Sequence, residues 1–531
     1  MTQSGGLDLF YNLHHCLCDN NDFDNVGFYA TDSRFYKKFI NETSDFLTEG
    51  FEIIKEWEIV KEASTINVNH SKLREYEKGI GYPVLWNALL ADRRITWGKM
   101  FAFEQDYKSR FSHDEMLAIL QTALQKIEQM FDYILPDLVV SFQCNTIGEY
   151  LSFLFARSRD IPILNLRPTR IKNYIYAGED ILEPSKNLEN TYRELLQNGM
   201  PKTLEKEVSE YLENFRFSHA MYEGVVAPSD KPPKSRSRIK GILAPVYFLA
   251  TVFYGVREEL RYRYDDMKYD NSVAGFIKPF ISRQLIRPMR ARKVNNLFKK
   301  IYVWGDQLEK LNYAFFPLHP EPEVTVIVYS KPYLNQIEAI RLISHNLPVG
   351  MKIIVKEHPW HVGKRTVGYY RKLLDIPNVM LASPEMGSRD LVKNAALVTT
   401  ISGSIGLEGL IMKIPVVVLG RAPFNFLPRS IIRHASNLDR LGFTIRDLLE
   451  NYNDTEEAIR AYVGAVIRES VPVDFYSRLL RRKEAFNPEL LDNKHEEDSE
   501  RIKQFKLLAD YIVERYILYK DQSIYSFDYR I

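Results

Sequence analysis

Two short segments carry residue types suited to holding a phosphate. Ser402-Gly403-Ser404-Ile405-Gly406 follows a strand-like apolar run and opens a helical one. In that setting, successive backbone N–H groups and the positive end of a helix converge on an anion. The glycines allow close backbone approach, and the Ser402 and Ser404 hydroxyls add donors. A plain strand-to-helix turn with serine as N-cap explains the same residues equally well. The spacing is neither a Walker A loop, which needs Gly-Lys-Ser/Thr, nor the dinucleotide fingerprint. Glu408, one turn into the helix, either accepts hydrogen bonds from ribose hydroxyls or simply favours the helix dipole.

Lys356-Glu357-His358-Pro359 ends a second apolar run, Met351 to Val355. A histidine held there by the following proline stands at the edge where open α/β sheets take ligands. Alone, such a residue is more often structural. The serine-glycine loop falls on the same edge one or two βα units later, which favours one nucleotide site built from both segments.

A carboxylate in the first turn of a helix that follows a strand can act as a general base. Glu149 lies in the first helical turn after the run Asp137 to Phe142 and is the candidate, although a capping role behind Asn145-Thr146 fits the same position. Arg167 and Arg170, after the next strand, suit an acidic or phosphorylated ligand; surface arginines without a task account for them nearly as well. Asp22-Phe23-Asp24 has the form of a metal-binding acidic pair, but its setting, Asp19-Asn20-Asn21-Asp22, reads as a turn. No metal site is assigned.

These residues require elements that position them. Val324–Tyr329, Met351–Lys356, Asn378–Leu381, Ala396–Thr400 and Pro415–Leu419 read as strands, with helical patterns at Asn335–Asn346, Val367–Leu374, Ser388–Asn394 and Ile405–Met412 between them. Alternation of this kind implies right-handed βαβ units and a parallel sheet covered on both faces. A second alternating region runs from the helical pattern Asp114–Tyr133 through strand Asp137–Phe142, helix Thr146–Arg157 and strand Ile161–Leu166. Helices are expected again from Thr455 and Glu496.

A chain of 531 residues exceeds one core and splits into domains. We expect an N-terminal α/β domain over 1–230, a basic aromatic helical insertion or linker over 231–312, a Rossmann-like nucleotide-binding domain over 313–480, and C-terminal helices over 481–531 bracing the first domain. Three cysteines are too few for a disulfide framework and suit a reducing compartment. The first residues show no secretory pattern, and no apolar run reaches the length of a spanning helix. The net charge of +2 conceals a segment, Lys231 to Lys300, with 17 Lys+Arg against 5 Asp+Glu. Interleaved with Tyr and Phe, it suits an anionic membrane surface, while a solvated helical insertion with snorkelling side chains explains it as well. Nucleic acid is not expected, because no recognition motif accompanies the charge. The location expected is cytoplasmic, peripheral at the inner face of the membrane.

Phe316-Pro317-Leu318-His319-Pro320-Glu321-Pro322-Glu323, Val355-Lys356-Glu357-His358-Pro359, Thr400-Ile401-Ser402-Gly403-Ser404-Ile405-Gly406-Leu407-Glu408 and Pro415-Val416-Val417-Val418-Leu419-Gly420 stand in the order seen in capsule polysaccharide biosynthesis proteins. The chain resembles that family, which includes 3-deoxy-manno-octulosonate (Kdo) transferases, and its His-Pro and serine motifs are similar to those of CMP-sugar sialyltransferases. The sequence departs from the pattern at Glu408-Gly409, where Glu-Ala is expected, and at Arg421-Ala422-Pro423-Phe424, where an acidic-aromatic run is expected. The resemblance implies a GT-B-like α/β fold, two Rossmann-like domains facing a cleft. It implies a glycosyltransferase, inverting and metal-independent, moving a sugar from a nucleotide-activated donor of CMP-Kdo type to a surface-polysaccharide or glycolipid acceptor. On this basis His358 and Glu149 are catalytic; Lys356, Pro359, Ser402, Gly403, Ser404 and Glu408 bind nucleotide and phosphate; Arg167, Arg170 and His319 serve the acceptor. No cofactor is expected, since the nucleotide-sugar is a co-substrate. The rival readings are a teichoic-acid-type polyol-phosphate transferase, a nucleotide-sugar 2-epimerase on the same fold, and a non-catalytic assembly protein.

Overall fold

The computed structural model describes residues 6–19, 25–82, 84–97, 109–172, 174–181, 185–217, 281–303, 308–474, 479 and 494–521. The strands are β1 (Gly27–Ala30), β2 (Glu52–Lys55), β3 (Val139–Phe142), β4 (Ile163–Pro168), β5 (Ile175–Gly178), β6 (Tyr302–Val303), β7 (Tyr313–Pro317), β8 (Lys352–Lys356), β9 (Val379–Ala382), β10 (Leu397–Thr400), β11 (Val416–Val418), β12 (Ile432–His434) and β13 (Ser470–Val471).

In the second half, seven strands form one parallel sheet in the order β12-β11-β10-β7-β8-β9-β6. Leaving aside the edge strand β6, this is the doubly wound 3-2-1-4-5-6 order, with the direction of winding reversing between β7 and β10. Residues of β7, β8, β10 and β11 are buried on both faces, as a sheet covered by helices on each side requires. The α/β alternation expected here is present, with one correction. Val324–Tyr329 is not a strand: Thr325–Tyr329 coils as a π-helical turn, started by the N–H groups of Val326 and Ile327 donating to the Glu323 carbonyl. An apolar run buried on all sides does not distinguish strand from helix by its pattern. The place beside β8 is taken instead by Tyr313–Pro317, and the turn packs against helix Trp86–Ala91 of the first half.

The first half is also α/β. Strands β1 and β2 pair in parallel, and a separate sheet runs β13-β5-β4-β3, with β3 and β4 parallel and the other pairs antiparallel. Helices His113–Ile134 and Ile147–Ser158 pack on each other, each opened by a capping box, Ser112 with Glu115 and Thr146 with Glu149. Gly148 has no room for a side chain, because a Cβ there would lie 2.0 Å from the Tyr29 ring. The chain crosses between halves. Helices Lys186–Asn198 and Lys202–Phe217 pack on Glu456–Arg468, with Arg216 bonded to both oxygens of Glu456 at 2.9 and 2.8 Å. The long helix Lys494–Asp521 lies on Leu7–Cys18, its Tyr511 hydroxyl accepting from the Ala177 N–H at 2.9 Å. Among the described residues, no helix is long and apolar enough to cross a membrane.

Asp22-Phe23-Asp24 and most of Lys231 to Lys300, including the apolar run Gly241–Val256, lie outside the described residues. The described end, Arg287–Ile301, belongs to the second sheet's own packing: Val294 and Phe298 are buried, and the Phe298 ring meets Tyr370 at 5.2 Å.

Two glycines test this packing. Gly148→Ala should destabilise by about 1–3 kcal/mol through overpacking against Tyr29. Gly79→Ala, on an exposed helix with nothing within 4 Å, should stabilise by about 0.5–1 kcal/mol. Urea unfolding of the two variants beside the parent measures both signs.

Candidate functional site

Strands β7, β8 and β10 are neighbours, so the loops leaving their carboxyl ends meet. The loop after β7 carries His319 and Glu321, that after β8 Glu357 and His358, and that after β10 Ser402 to Ser404. The winding reverses between β7 and β10, which opens a crevice where doubly wound folds take ligands. Here His319 Nε2 lies 3.5 Å from Thr400 Oγ1, and a Cβ on Gly403 would stand 3.0 Å from that same nitrogen. A side chain at 403 would press on both the His319 ring and Thr400.

Beneath these loops sits a buried ionic network. Arg365 is 1% exposed; its Nη1 donates to both oxygens of Glu357 at 2.7 Å, and its Nη2 to the His319 carbonyl at 2.6 Å and to Glu321 at 3.2 Å. Gln336 accepts from the His319 N–H at 2.8 Å and donates to the His319 carbonyl at 3.0 Å and to Glu321. Tyr370 donates to Glu357 at 2.7 Å, and the His358 N–H does the same. The His-Pro loops are thereby cross-linked from below by charge-assisted bonds.

The network sets the electrostatics above it. Burial, then the cations Lys356, Arg365 and Lys364, lower the His358 pKa to about 4. Burial and Arg365 take His319 to about 4 as well, and its Nδ1 is buried without a hydrogen-bond partner. His361, whose ring is 6.1 Å from that of His358, is lowered further by burial and by Lys364, Arg365 and Arg287. All three rings are neutral at pH 7. Lys356, 5% exposed, is lowered to about 8 by burial, against the opposing pull of Glu357 and Glu408. It therefore stays mainly cationic at pH 7 and within the field of Glu408.

The structure brings together His319, Lys356, His358, Ser402, Gly403, Ser404 and Glu408 along one sheet edge. Ser402 donates to the Arg421 carbonyl, and the Gly403 N–H donates to Thr400 Oγ1 at 3.1 Å. Ser404 is the N-cap residue of helix Ile405–Ile411, but its side chain caps no backbone N–H, so the capping explanation of this serine does not hold. Pro359 is exposed and begins a short turn to His361. His319, assigned on sequence to the acceptor, has Gln336, Thr400 and the Gly403 loop as its neighbours, all in the second half.

The first-half candidates stand apart from this group. Glu149 is 1% exposed and closes a capping box: its Oε2 accepts from Asn145 N at 2.9 Å, Thr146 N at 3.1 Å and Thr146 Oγ1 at 3.0 Å. Burial raises its pKa to about 7, and its Oε1 has no hydrogen-bond partner. Arg167 is buried, held by Asn165 at 2.7 Å and the Asp180 carbonyl, with its guanidinium 5.5 Å over the Tyr329 ring. The hydrogen bonds stay within the first half, and the Tyr329 contact ties it to the second. Arg170, at φ 65°, is half-buried and within the field of Glu323.

Sequence reasoning missed Arg365, Gln336 and the structural use of Glu357 and Glu321. Glu357 lay inside a quoted motif, and its place at a buried strand end was the available signal, since a carboxylate there needs a cation. Nothing in the spacing singled out Arg365 as that cation.

Residues 329–430 match the family described as capsule polysaccharide biosynthesis protein, a segment that includes β8 to β11 and every loop of the cluster except that of His319. No curated protein matches the chain. Among solved structures, it is similar to the KpsC β-Kdo 2,7 transferase of Thermosulfurimonas dismutans at 11% identity and TM-score 0.33, covering 66% of this chain and 82% of that one. It is similar also to the UDP-GlcNAc 2-epimerase from Neisseria meningitidis, at 12% identity and TM-score 0.26, covering 83% and 98%.

The neutral histidines fix the sign of a pH effect. Their folded pKa values lie below the ordinary value of 6.5, so the unfolded chain takes up protons first. Stability should be complete above pH 6.5 and fall towards pH 4, with each histidine contributing a slope of up to about 1.4 kcal/mol per pH unit. Urea unfolding between pH 7 and 4.5 should give a shallower pH slope for His358→Gln than for the parent.

Proposed function

We propose that this chain is a glycosyltransferase of surface-polysaccharide synthesis that takes its sugar from a nucleotide-activated donor. The observation that carries the reading is the convergence of Lys356, His358, His319 and the Ser402–Ser404 loop at the reversal point of a doubly wound sheet, within or beside the segment matching the family. In this reading the donor phosphates lie against the Gly403 loop and the Lys356 ammonium, and Glu408 accepts from ribose hydroxyls. Neutral His358 donates a hydrogen bond to a phosphate oxygen as the sugar–phosphate bond breaks. Leaving-group charge is then met by preorganised donors and one cation rather than by a metal ion. The orphaned His319 Nδ1 supports a polar ligand at the same place, which moves His319 to the donor side.

For the acceptor hydroxyl, Glu149 has a pKa of about 7 that suits a general base, but its carboxyl is occupied by the cap and closed to solvent. As a base it would require the Asn145–Thr146 turn to open. Arg167 is withdrawn from the acceptor set, since its bonds are structural.

The test begins with CMP, UDP, GDP and CDP in thermal-shift titrations. One of them should stabilise the chain, by about 2.7 kcal/mol at 100 times its dissociation constant. Lys356→Gln and Ser404→Ala should each weaken that ligand roughly tenfold, the size of one charge-assisted hydrogen bond. Binding by the parent should also fall as pH rises through about 8, where Lys356 loses its charge, and this fall should be smaller in Lys356→Gln. His358→Ala should retain the fold and lose transfer. Interconversion of a donor's sugar without any acceptor would favour the epimerase reading instead.

Peripheral attachment to anionic membrane through 231–300 belongs to the same proposal. Arg290 is engaged with the Lys364 carbonyl at 3.0 Å, whereas Arg292, Lys293 and Lys299 are exposed on the described helix. Flotation on liposomes with acidic lipid should be lost at high salt and reduced in the variant with those three residues changed to Gln. Equal flotation of parent and variant would count against electrostatic attachment through this helix.

A further inference from the structure

The helix Arg287–Ile301 continues from a π-helical turn, Ser282–Ile286, and its two sides differ. At helical spacing Leu285, Met289, Arg292 and Lys299 fall on one side, Val294 and Phe298 on the other. The second side is used in packing, with Val294 and Phe298 buried and the Phe298 ring 5.2 Å from that of Tyr370. The first side is open. Ile281, Leu285, Ile286 and Met289 are between 39% and 57% exposed, four large apolar side chains in one short stretch. Arg292, Lys293 and Lys299 are exposed beyond them. A helix face that passes from apolar to basic suits a surface that offers hydrocarbon and anions together, as a charged membrane interface does.

The same turns of helix carry the loop of the candidate site on their other side. A Cβ on Gly363 would stand 2.7 Å from the Arg287 carbonyl oxygen and 3.0 Å from Ala291 Cβ, so a side chain there would displace the helix. Arg290 Nη1 donates to the Lys364 carbonyl at 3.0 Å. From this seat the turn runs back to the site: the Lys364 N–H donates to the His361 carbonyl at 2.9 Å, and the His361 N–H to the His358 carbonyl at 2.8 Å. One helix, about 10 Å across, therefore separates the open apolar end from the His358 loop.

We propose that this face is a directional membrane anchor: Leu285, Ile286 and Met289 enter the acyl boundary of an anionic bilayer, Arg292, Lys293 and Lys299 stay at its headgroup phosphates, and the His358 loop is held on the bilayer side of the second half. Charge complementarity selects this occupant. A second copy packed face to face would set the cations of both copies against each other. The neighbouring sequence is itself basic, 17 Lys+Arg against 5 Asp+Glu over Lys231 to Lys300, and offers the face few carboxylates. A bilayer with acidic lipid meets the apolar and the basic part at once. The inference deepens the attachment proposed above and rests on it for the bilayer. It adds an apolar part of the binding that salt does not remove, a tilt with the start of the helix deeper than its end, and a mechanical link to the site.

The full chain is mixed with vesicles of phosphatidylcholine and phosphatidylglycerol in equal parts. Emission added by Met289→Trp, over that of the five native tryptophans, should shift to the blue and be quenched by lipid brominated in the upper acyl chain. Emission added by Lys299→Trp should do neither. Leu285→Ser combined with Met289→Ser should weaken vesicle binding about tenfold, at low and at high salt. The nucleotide selected by the thermal-shift panel should bind this variant within twofold of the parent. Vesicles should slow amide exchange over 281–301 and, through the Gly363 seat, over 359–365. Salt-reversible flotation without blue shift or quenching refutes the anchor and leaves electrostatic attachment standing. An unchanged exchange rate at 359–365 refutes the link to the site. A blue-shifted Met289→Trp before vesicles are added shows the face covered by the chain's own segment, and one that develops with protein concentration alone shows a second copy; either overturns the proposal. Insertion by a chain that binds none of the four nucleotides keeps the anchor and overturns the glycosyltransferase reading. Should the double serine variant lower the melting midpoint, the two tryptophan variants still decide.

Discussion

Arg365 is the constraint on which the site depends. A guanidinium and two carboxylates, all between 1% and 4% exposed, are tolerable only if each is bonded, because an unpaired charge in such a place costs about 3–5 kcal/mol. The single position that satisfies Glu357, Glu321 and the His319 carbonyl together fixes the ends of β7 and β8 relative to each other. Gln336 extends the same lock to the helix Gln336–Asn346. The loops above are then rigid by construction, which is what a site that stabilises a leaving group needs.

The same guanidinium sets the electrostatics above it. Its charge, with those of Lys356 and Lys364, helps keep His358 neutral. In the function proposed, the ring then donates a hydrogen bond without first losing or gaining a proton, and Lys356 supplies the positive charge for the ligand.

The two halves are joined by more than one chain crossing. Arg167 over Tyr329, Arg216 with Glu456, and Lys494–Asp521 lying along the first half each connect segments far apart in sequence. Glu469, just before β13, receives both Thr191 and Arg515, so the end of the second half is pinned to helices of different origin.

Strand-helix alternation between Met351 and Leu419 determined the second half from sequence, because strands buried on both faces and helices between them leave an unmistakable apolar rhythm. Lys356, His358 and the Ser402–Glu408 loop were legible for the same reason: a residue at the end of a parallel strand must lie on the ligand edge. Val324–Tyr329 misled, since an apolar run buried on every side has no period to read, and β7 went unread beside it. Glu149, Arg167 and His319 had their residue types noticed and their surroundings unknown. The tertiary structure decided that the first is closed inside a cap, the second held over a tyrosine ring, and the third set against Gly403. Arg365 was beyond sequence reasoning altogether, because local spacing reports which face a side chain takes, whereas the partner of a buried charge is chosen by chain segments that meet only in three dimensions.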